Sequence, residues 1–245
     1  MSWLGAALLC YGPVMDDKHT EADTTTTGVE ATTKTILCFG DSNTWGFIPG
    51  TAMHRFPPDA RWPGVVASEL GSGWDIIEEG LCGRTTSFDD PCWEDRNGRK
   101  QLGFLLESHM PLDLVVIMLG TNDLKHYLGL APNDIALGAA TLVDMVQQST
   151  AGRDGKPPEV LLVAPAEVTE TANPFGHKFD AAIAKSQEFA TAFAEIATEY
   201  GIAFFDAATV AKVPDTDGIH LDRAAHLALG KALADVVARV LQRQA

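Results

Sequence analysis

The sequence predicts an α/β protein of three layers, with a five-stranded parallel sheet between two layers of helices. Three observations carry this reading. Five short runs rich in Val, Ile, Leu and Phe alternate with segments of helical periodicity. The strongest run is apolar almost throughout, as a strand buried on both faces requires. Nothing between residues 34 and 245 has the composition of a linker. With 245 residues, 46% of them hydrophobic and 21% charged, the chain can bury a full core, which excludes disorder for most of it.

Taken in order, residues 1–33 differ from the rest. Asp16 to Thr35 is rich in Thr, Asp and Glu. Five acids and one lysine give the extension a net charge of −4, leaving −11 for the body, and it reads as a flexible tail ahead of one domain over 34–245. Trp3 to Tyr11 is apolar, but no Lys or Arg precedes it and Leu9 before Cys10 is large for a cleavage site, so a signal peptide is disfavoured.

Thr35–Phe39 is the first strand and stops at Gly40. A helix follows over 61–70, then a strand from Trp74 to Glu78, and a helix over 99–109 that ends before Pro111. Leu112–Leu119 is the strongest strand. Pro132–Gln148 reads as a helix with proline in its first turn, and Val160–Ala164 as the fourth strand. Phe179, Ile183, Ser186, Ala190, Phe193, Ala194 and Ala197 recur at helical spacing through 178–199. Ile202–Phe205 is the fifth strand. The last helix spans about 222–242, with Ala225, Leu229, Leu233, Val236 and Val240 on its apolar face and Asp222 as its cap.

Charge and cysteine usage narrow the function. Eighteen basic against 33 acidic residues give −15, which argues against a nucleic-acid partner or an anionic membrane surface. The best apolar run, Leu114–Leu119, is far short of the roughly 20 residues that span a bilayer. Cys10, Cys38, Cys82 and Cys92 lack C-x-x-C spacing and are too few for a disulfide scaffold, so a reducing, cytoplasmic location is expected. His19, His54, His109, His126, His177 and His226 lack metal-ligand spacing, and neither metal nor cofactor is expected.

In parallel sheets, ligands bind beyond the carboxyl ends of the strands. Four loops there carry Gly40-Asp41-Ser42-Asn43-Thr44-Trp45, Gly80-Leu81-Cys82-Gly83-Arg84-Thr85, Gly120-Thr121-Asn122-Asp123 and Asp217-Gly218-Ile219-His220. Together they supply what serine hydrolysis needs. Ser42 is a poor nucleophile without an adjacent base, His220 can serve as that base, and Asp217 can hold the imidazole in the required tautomer. The backbone N–H groups of Ser42 and Gly83 and the amide of Asn122 are candidate oxyanion donors, each worth roughly 3–4 kcal/mol in such sites. Ser42 is also placed at a helix start.

On these residues the chain resembles the SGNH hydrolases, or GDSL esterases. Four blocks match in order over about residues 35–242: Ser42 in Gly-Asp-Ser, Gly83, Asn122 in Gly-x-Asn-Asp, and Asp217 with His220 in Asp-x-x-His. The stretches 36–46, 77–86 and 112–123 are similar to the bacterial arylesterase/acyltransferase branch. The resemblance implies a flavodoxin-like α/β/α fold and a metal-independent serine esterase for small-molecule esters. It also implies a small acyl pocket for acetyl to butyryl groups, acyl transfer to alcohols or peroxide, and a homo-oligomer. Asn43 stands where the founding pattern has Leu, and residues 1–33 match nothing associated with the branch.

Other readings stay open beside this one. Acyl-thioester or lysophospholipid hydrolysis and carbohydrate deacetylation are enzymatic alternatives, and a binding protein that keeps the fold without turnover is the alternative from another class. Neither G-x-G-x-x-G, the P-loop pattern nor G-x-S-x-G is present around Gly40. Ser42 on its own would be a helix cap. Asp41, Asp123 and Arg84 read as structural braces. Trp45, Phe47 and Cys82 are candidate substrate-binding residues, with core packing as their alternative. Residues 94–100 and 173–176 read as exposed loops.

Overall fold

Alternation of apolar strands with amphipathic helices places every strand edge but two inside one sheet. A computed structural model describes residues 33–170 and 176–242. The expectations for residues 1–32, including Cys10 and His19, and for Asn173–Phe175 lie outside the described residues. In chain order the elements are β1 (Lys34–Gly40), α1 (Ser42–Trp45), α2 (Trp62–Leu70), β2 (Trp74–Gly80), α3 (Gly98–His109), β3 (Leu114–Met118) and α4 (Pro132–Gln147). They continue with β4 (Glu159–Ala164), α5 (Ala182–Gln187), α6 (Phe189–Tyr200), β5 (Ala203–Asp206) and α7 (Arg223–Gln242).

All pairings are parallel, in the order β2-β1-β3-β4-β5. Side chains alternate between the two faces of the sheet, and each face has its own core. Leu37, Phe39, Val115, Ile117 and Leu162 pack under α3, α4 and α6, while Ile36, Cys38, Leu114, Val116 and Leu161 pack under α2 and α7. All five residues of β3 are buried, whereas β2 and β5 at the edges are half-buried. Burying each large aliphatic side chain contributes roughly 1.5–3 kcal/mol. Gly40 pairs with Gly80 and with Met118, so β1, β2 and β3 end level and form the floor of the site.

The predicted architecture is present, with three local differences. β3 begins at Leu114, not Leu112: Leu112 pairs with Gly152 outside the sheet, and the Asp113 carboxylate turns aside to Lys34 and Arg153. The helix expected over 178–199 is broken between Gln187 and Phe189. The break shifts the buried face: Phe189 and Ile196 enter the core and Ile183 is exposed. Residues 94–100 are only partly an exposed loop, because Asn97 caps α3 through the Arg99 N–H and is buried with Gly98. Asp222 caps α7 as expected, accepting from the Ala225 N–H at 2.8 Å. No helix of the described residues is long and apolar enough to cross a membrane.

Candidate active site

The nucleophile loop begins where β1 can no longer continue. Asp41 Oδ1 accepts the Asn43 N–H at 2.9 Å and caps the single turn α1, which leaves Ser42 at its first position. The cap is therefore Asp41, and Ser42 keeps its hydroxyl for other partners. One turn of helix has little macrodipole, so local N–H groups are what this position offers an anion. Neither the Ser42 N–H nor the Gly83 N–H donates to an acceptor among the loop hydrogen bonds of the described residues.

His220 arrives from the segment between β5 and α7. Gly218 at φ +75° makes the tight turn that a side chain would strain. Asp217 Oδ1 accepts the N–H groups of Ile219 and His220, both at 3.0 Å, while Oδ2 lies 2.9 Å from His220 Nδ1. His220 Nε2 lies 3.1 Å from Ser42 Oγ. A carboxylate on Nδ1 assigns that nitrogen its proton and leaves Nε2 to accept from the serine. Burial acts against the Asp217 carboxylate, but the imidazole and two backbone N–H groups outweigh it and hold its pKa below the ordinary value. The Phe47 ring stacks on the imidazole with centroids 4.1 Å apart, which covers one face of the base.

The oxyanion candidates converge from β2 and β3. Gly83 has φ +86°, and a Cβ there would meet the Trp93 ring at 2.6 Å, so both conformation and space demand glycine. Asn122 Nδ2 donates to Asp41 Oδ2 at 3.3 Å, which aims the amide and leaves its second N–H available. Arg84 is a brace: it donates to the carbonyls of Gly40 and Glu79 and to Gln101, and it stacks on Phe39. Asp123 is another, accepting the Thr86 N–H and hydroxyl and so tying the β2 loop to the β3 loop.

Ser42, Gly83, Asn122 and His220 line one cleft of about 70 Å³, together with Phe47 and Cys82. Trp45 does not line it; its ring lies under the Arg55 guanidinium, 5.1 Å away, and 6.5 Å from the ring of Phe47. Burial, aided by the Asp41 charge, pushes the Cys82 thiol up to about 11, so it presents a neutral wall. Sequence reasoning missed Met53, Trp93, Lys125, Lys178, Phe179 and Ile219, which also line the cleft. Ile219 could have been found from its place beside His220. Trp93 and Lys125 carried no such signal, because long-range packing brings them in. Among the described residues no cluster of His, Cys, Asp and Glu could hold a metal ion.

The sequence model of the GDSL-like lipase/acylhydrolase family matches residues 38–228. The chain belongs to that family. With it the chain is a carboxylic ester hydrolase. An aryl esterase from M. smegmatis is 44% identical, with a TM-score of 0.82, over 84% of this chain and 99% of that one. Est24, a carbohydrate acetylesterase from Sinorhizobium meliloti, is 42% identical, with a TM-score of 0.81, over 84% of this chain and 99% of its own. A member of the G-D-S-L lipolytic family from Veillonella parvula, at 14% identity and a TM-score of 0.61, shares the fold. No curated protein sequence gives a significant match.

Proposed function

We infer that this hydrolase cleaves short-chain carboxylic and aryl esters, acetyl to butyryl, through an acyl-enzyme on Ser42. The observation that carries the reading is the continuous chain from Ser42 Oγ to His220 Nε2 at 3.1 Å and from His220 Nδ1 to Asp217 at 2.9 Å. Ser42 Oγ attacks the ester carbonyl while His220 Nε2 takes its proton, and Asp217 stabilises the imidazolium. The oxyanion of the tetrahedral intermediate is received by the N–H groups of Ser42 and Gly83 and the amide of Asn122. Collapse breaks the bond to the leaving alcohol, which takes the proton from His220. Water then attacks the acyl-enzyme, His220 again acting as base, and the acid and free Ser42 are released. An alcohol or peroxide in place of that water gives a new ester or a peracid, which is the acyl-transfer branch of the same cycle.

The small size of the cleft, about 70 Å³, supports the short-chain reading. Likeness to a carbohydrate acetylesterase supports a second reading, in which the leaving alcohol is a sugar. It differs in leaving group, not in acyl group.

The test is p-nitrophenyl ester hydrolysis over acyl lengths from acetate to decanoate, wild type beside Ser42→Ala. The expected result is turnover in wild type that falls as the chain lengthens. Ser42→Ala should lower kcat by several powers of ten, roughly 10⁴-fold or more. Equal rates in the two proteins would overturn the nucleophile, and a rate that climbs to decanoate would overturn the short-chain claim. Acetylated sugars assayed beside phenyl acetate separate the two leaving groups.

A further inference from the structure

His220 can work only if its backbone is fixed relative to Ser42, and these residues lie far apart in sequence. Asn43, the residue directly after the nucleophile, is buried and reaches across that gap. Its Nδ2 donates to the Ile219 carbonyl at 3.2 Å, and its Oδ1 accepts the Leu221 N–H at 2.9 Å. The amide thus grips the main chain immediately before and immediately after the base. Asp217 takes the complementary groups, the N–H of Ile219 and of His220. Two side chains between them hold four polar groups of the backbone over residues 219–221. Only Asp217 belongs to the His220 segment itself; Asn43 rides on the Ser42 turn, whose own position is set by the Asp41 cap.

We propose that Asn43 is a positioning residue for the hydrolytic reaction, locking the His220 backbone to the nucleophile turn so that Nε2 stays within hydrogen-bond reach of Ser42 Oγ. The chemistry of the residue is what the task needs. An amide has a donor and an acceptor on one rigid plane, so it can pair with a C=O and an N–H two residues apart. Leucine, which the Gly-Asp-Ser-Leu pattern has here, offers neither. In this chain it would strand the Ile219 carbonyl and the Leu221 N–H in buried surroundings.

The inference rests on the serine-esterase reading, and one experiment separates the two. Wild type, Ser42→Ala, Asn43→Leu and Asn43→Asp are assayed on p-nitrophenyl acetate for kcat and KM. The low-field proton resonance of His220 Nδ1–H is recorded for each. Asn43→Leu is expected to lower kcat by roughly 10²-fold, the size of effect a misplaced catalytic group produces. KM is expected to stay within about twofold, since no substrate contact is removed. The low-field resonance should broaden or disappear. Asn43→Asp, which keeps the acceptor for Leu221 and loses the donor to Ile219, should fall between wild type and Asn43→Leu. A folded Asn43→Leu protein with wild-type kcat, or one whose whole loss is in KM, overturns the proposal. If Asn43→Leu does not fold, Asn43→Asp decides by the same criteria. No difference between wild type and Ser42→Ala would instead overturn the esterase reading.

Discussion

Asp41 and Asp123 sit beneath the cleft where a carboxylate is least stable. Burial raises Asp41 to about 6 against the pull of the Asn43 N–H, His220 and Arg84, and raises Asp123 to about 7 against two bonds from Thr86. A carboxyl whose folded pKa exceeds its unfolded value keeps its proton in the folded state while the unfolded chain has released it. Its contribution to stability therefore falls as pH rises from about 4 to about 7, then levels. His226, lowered to about 4 by burial, works in the opposite sense over an overlapping range, and Asp217 contributes stability that is lost as pH falls through its depressed pKa. A single titration curve would mix these groups, so the useful quantity is a difference. Urea denaturation of wild type and Asp123→Asn at intervals from pH 4.5 to 7.5 should show the variant gaining on wild type as pH rises. A difference that stays constant with pH would mean Asp123 is ionised throughout. Residue types alone made Ser42, Asp217 and His220 legible, because their chemistry and block order are distinctive. The partnership of Asn43 with Ile219 and Leu221 was not, since it spans 176 and 178 positions and leaves no local pattern.

The segment between β2 and α3 is held by a buried ion pair that leaves no pattern in the sequence. Asp90 is fully buried and pairs with Lys125 at 2.7 Å, while Cys92 N–H and the Tyr127 hydroxyl also donate to it. This anchors the stretch that carries Trp93, whose ring packs on Gly83 with the Arg96 guanidinium 4.3 Å from its centroid. The Lys125 ammonium is 5.8 Å from the same ring. Removing one member of a buried pair leaves the other uncompensated, at about 3–5 kcal/mol. Lys125→Met is expected to lose stability on that scale by denaturant midpoint, and to discriminate less between acetate and hexanoate esters as the Trp93 wall loosens. The double variant Asp90→Asn with Lys125→Met should recover much of the stability, which it could not do if Lys125 acted only through the long stem of its side chain. Periodicity found α4 and α7 within a residue or two, because their apolar faces run unbroken. It could not find the break at Glu188, just after Ser186, whose hydroxyl donates back to the Ile183 carbonyl and accepts the Val168 N–H from outside the helix.

At the scale of the whole molecule, alternation of strands and helices made the parallel sheet readable, but it says nothing of strand order. That order, with β1 and β3 adjacent at the centre, is what brings the Ser42 and Asn122 loops side by side. The solved relatives bear on how much chain this architecture needs. Two are matched over 99% of their own length by 84% of this one, and the family match begins at residue 38. The domain is therefore expected to fold and turn over ester without residues 1–32, whose removal changes the net charge from −15 to −11. The boundary should be sharp, for a physical reason. The Thr33 carbonyl accepts from Arg153 at 2.5 Å, Lys34 pairs with Asp113 at 3.2 Å, and the Thr35 N–H donates to the same carboxylate at 2.8 Å. Asp113 sits just ahead of β3, and its carboxylate is held below its ordinary pKa by Arg153, the Thr35 N–H and Lys34 despite burial. A chain starting at Thr33 keeps all three contacts, while one starting at Ile36 loses all three and leaves Asp113 with Arg153 as its partner. Thermal unfolding and kcat on p-nitrophenyl acetate should be close to wild type for the first. The second should unfold at lower temperature and, as a consequence of Asp113 losing its partners, lose stability less steeply than wild type when pH is lowered through the carboxylate range. Equal losses in both truncations would place a needed contact within residues 1–32 and move the domain boundary with it.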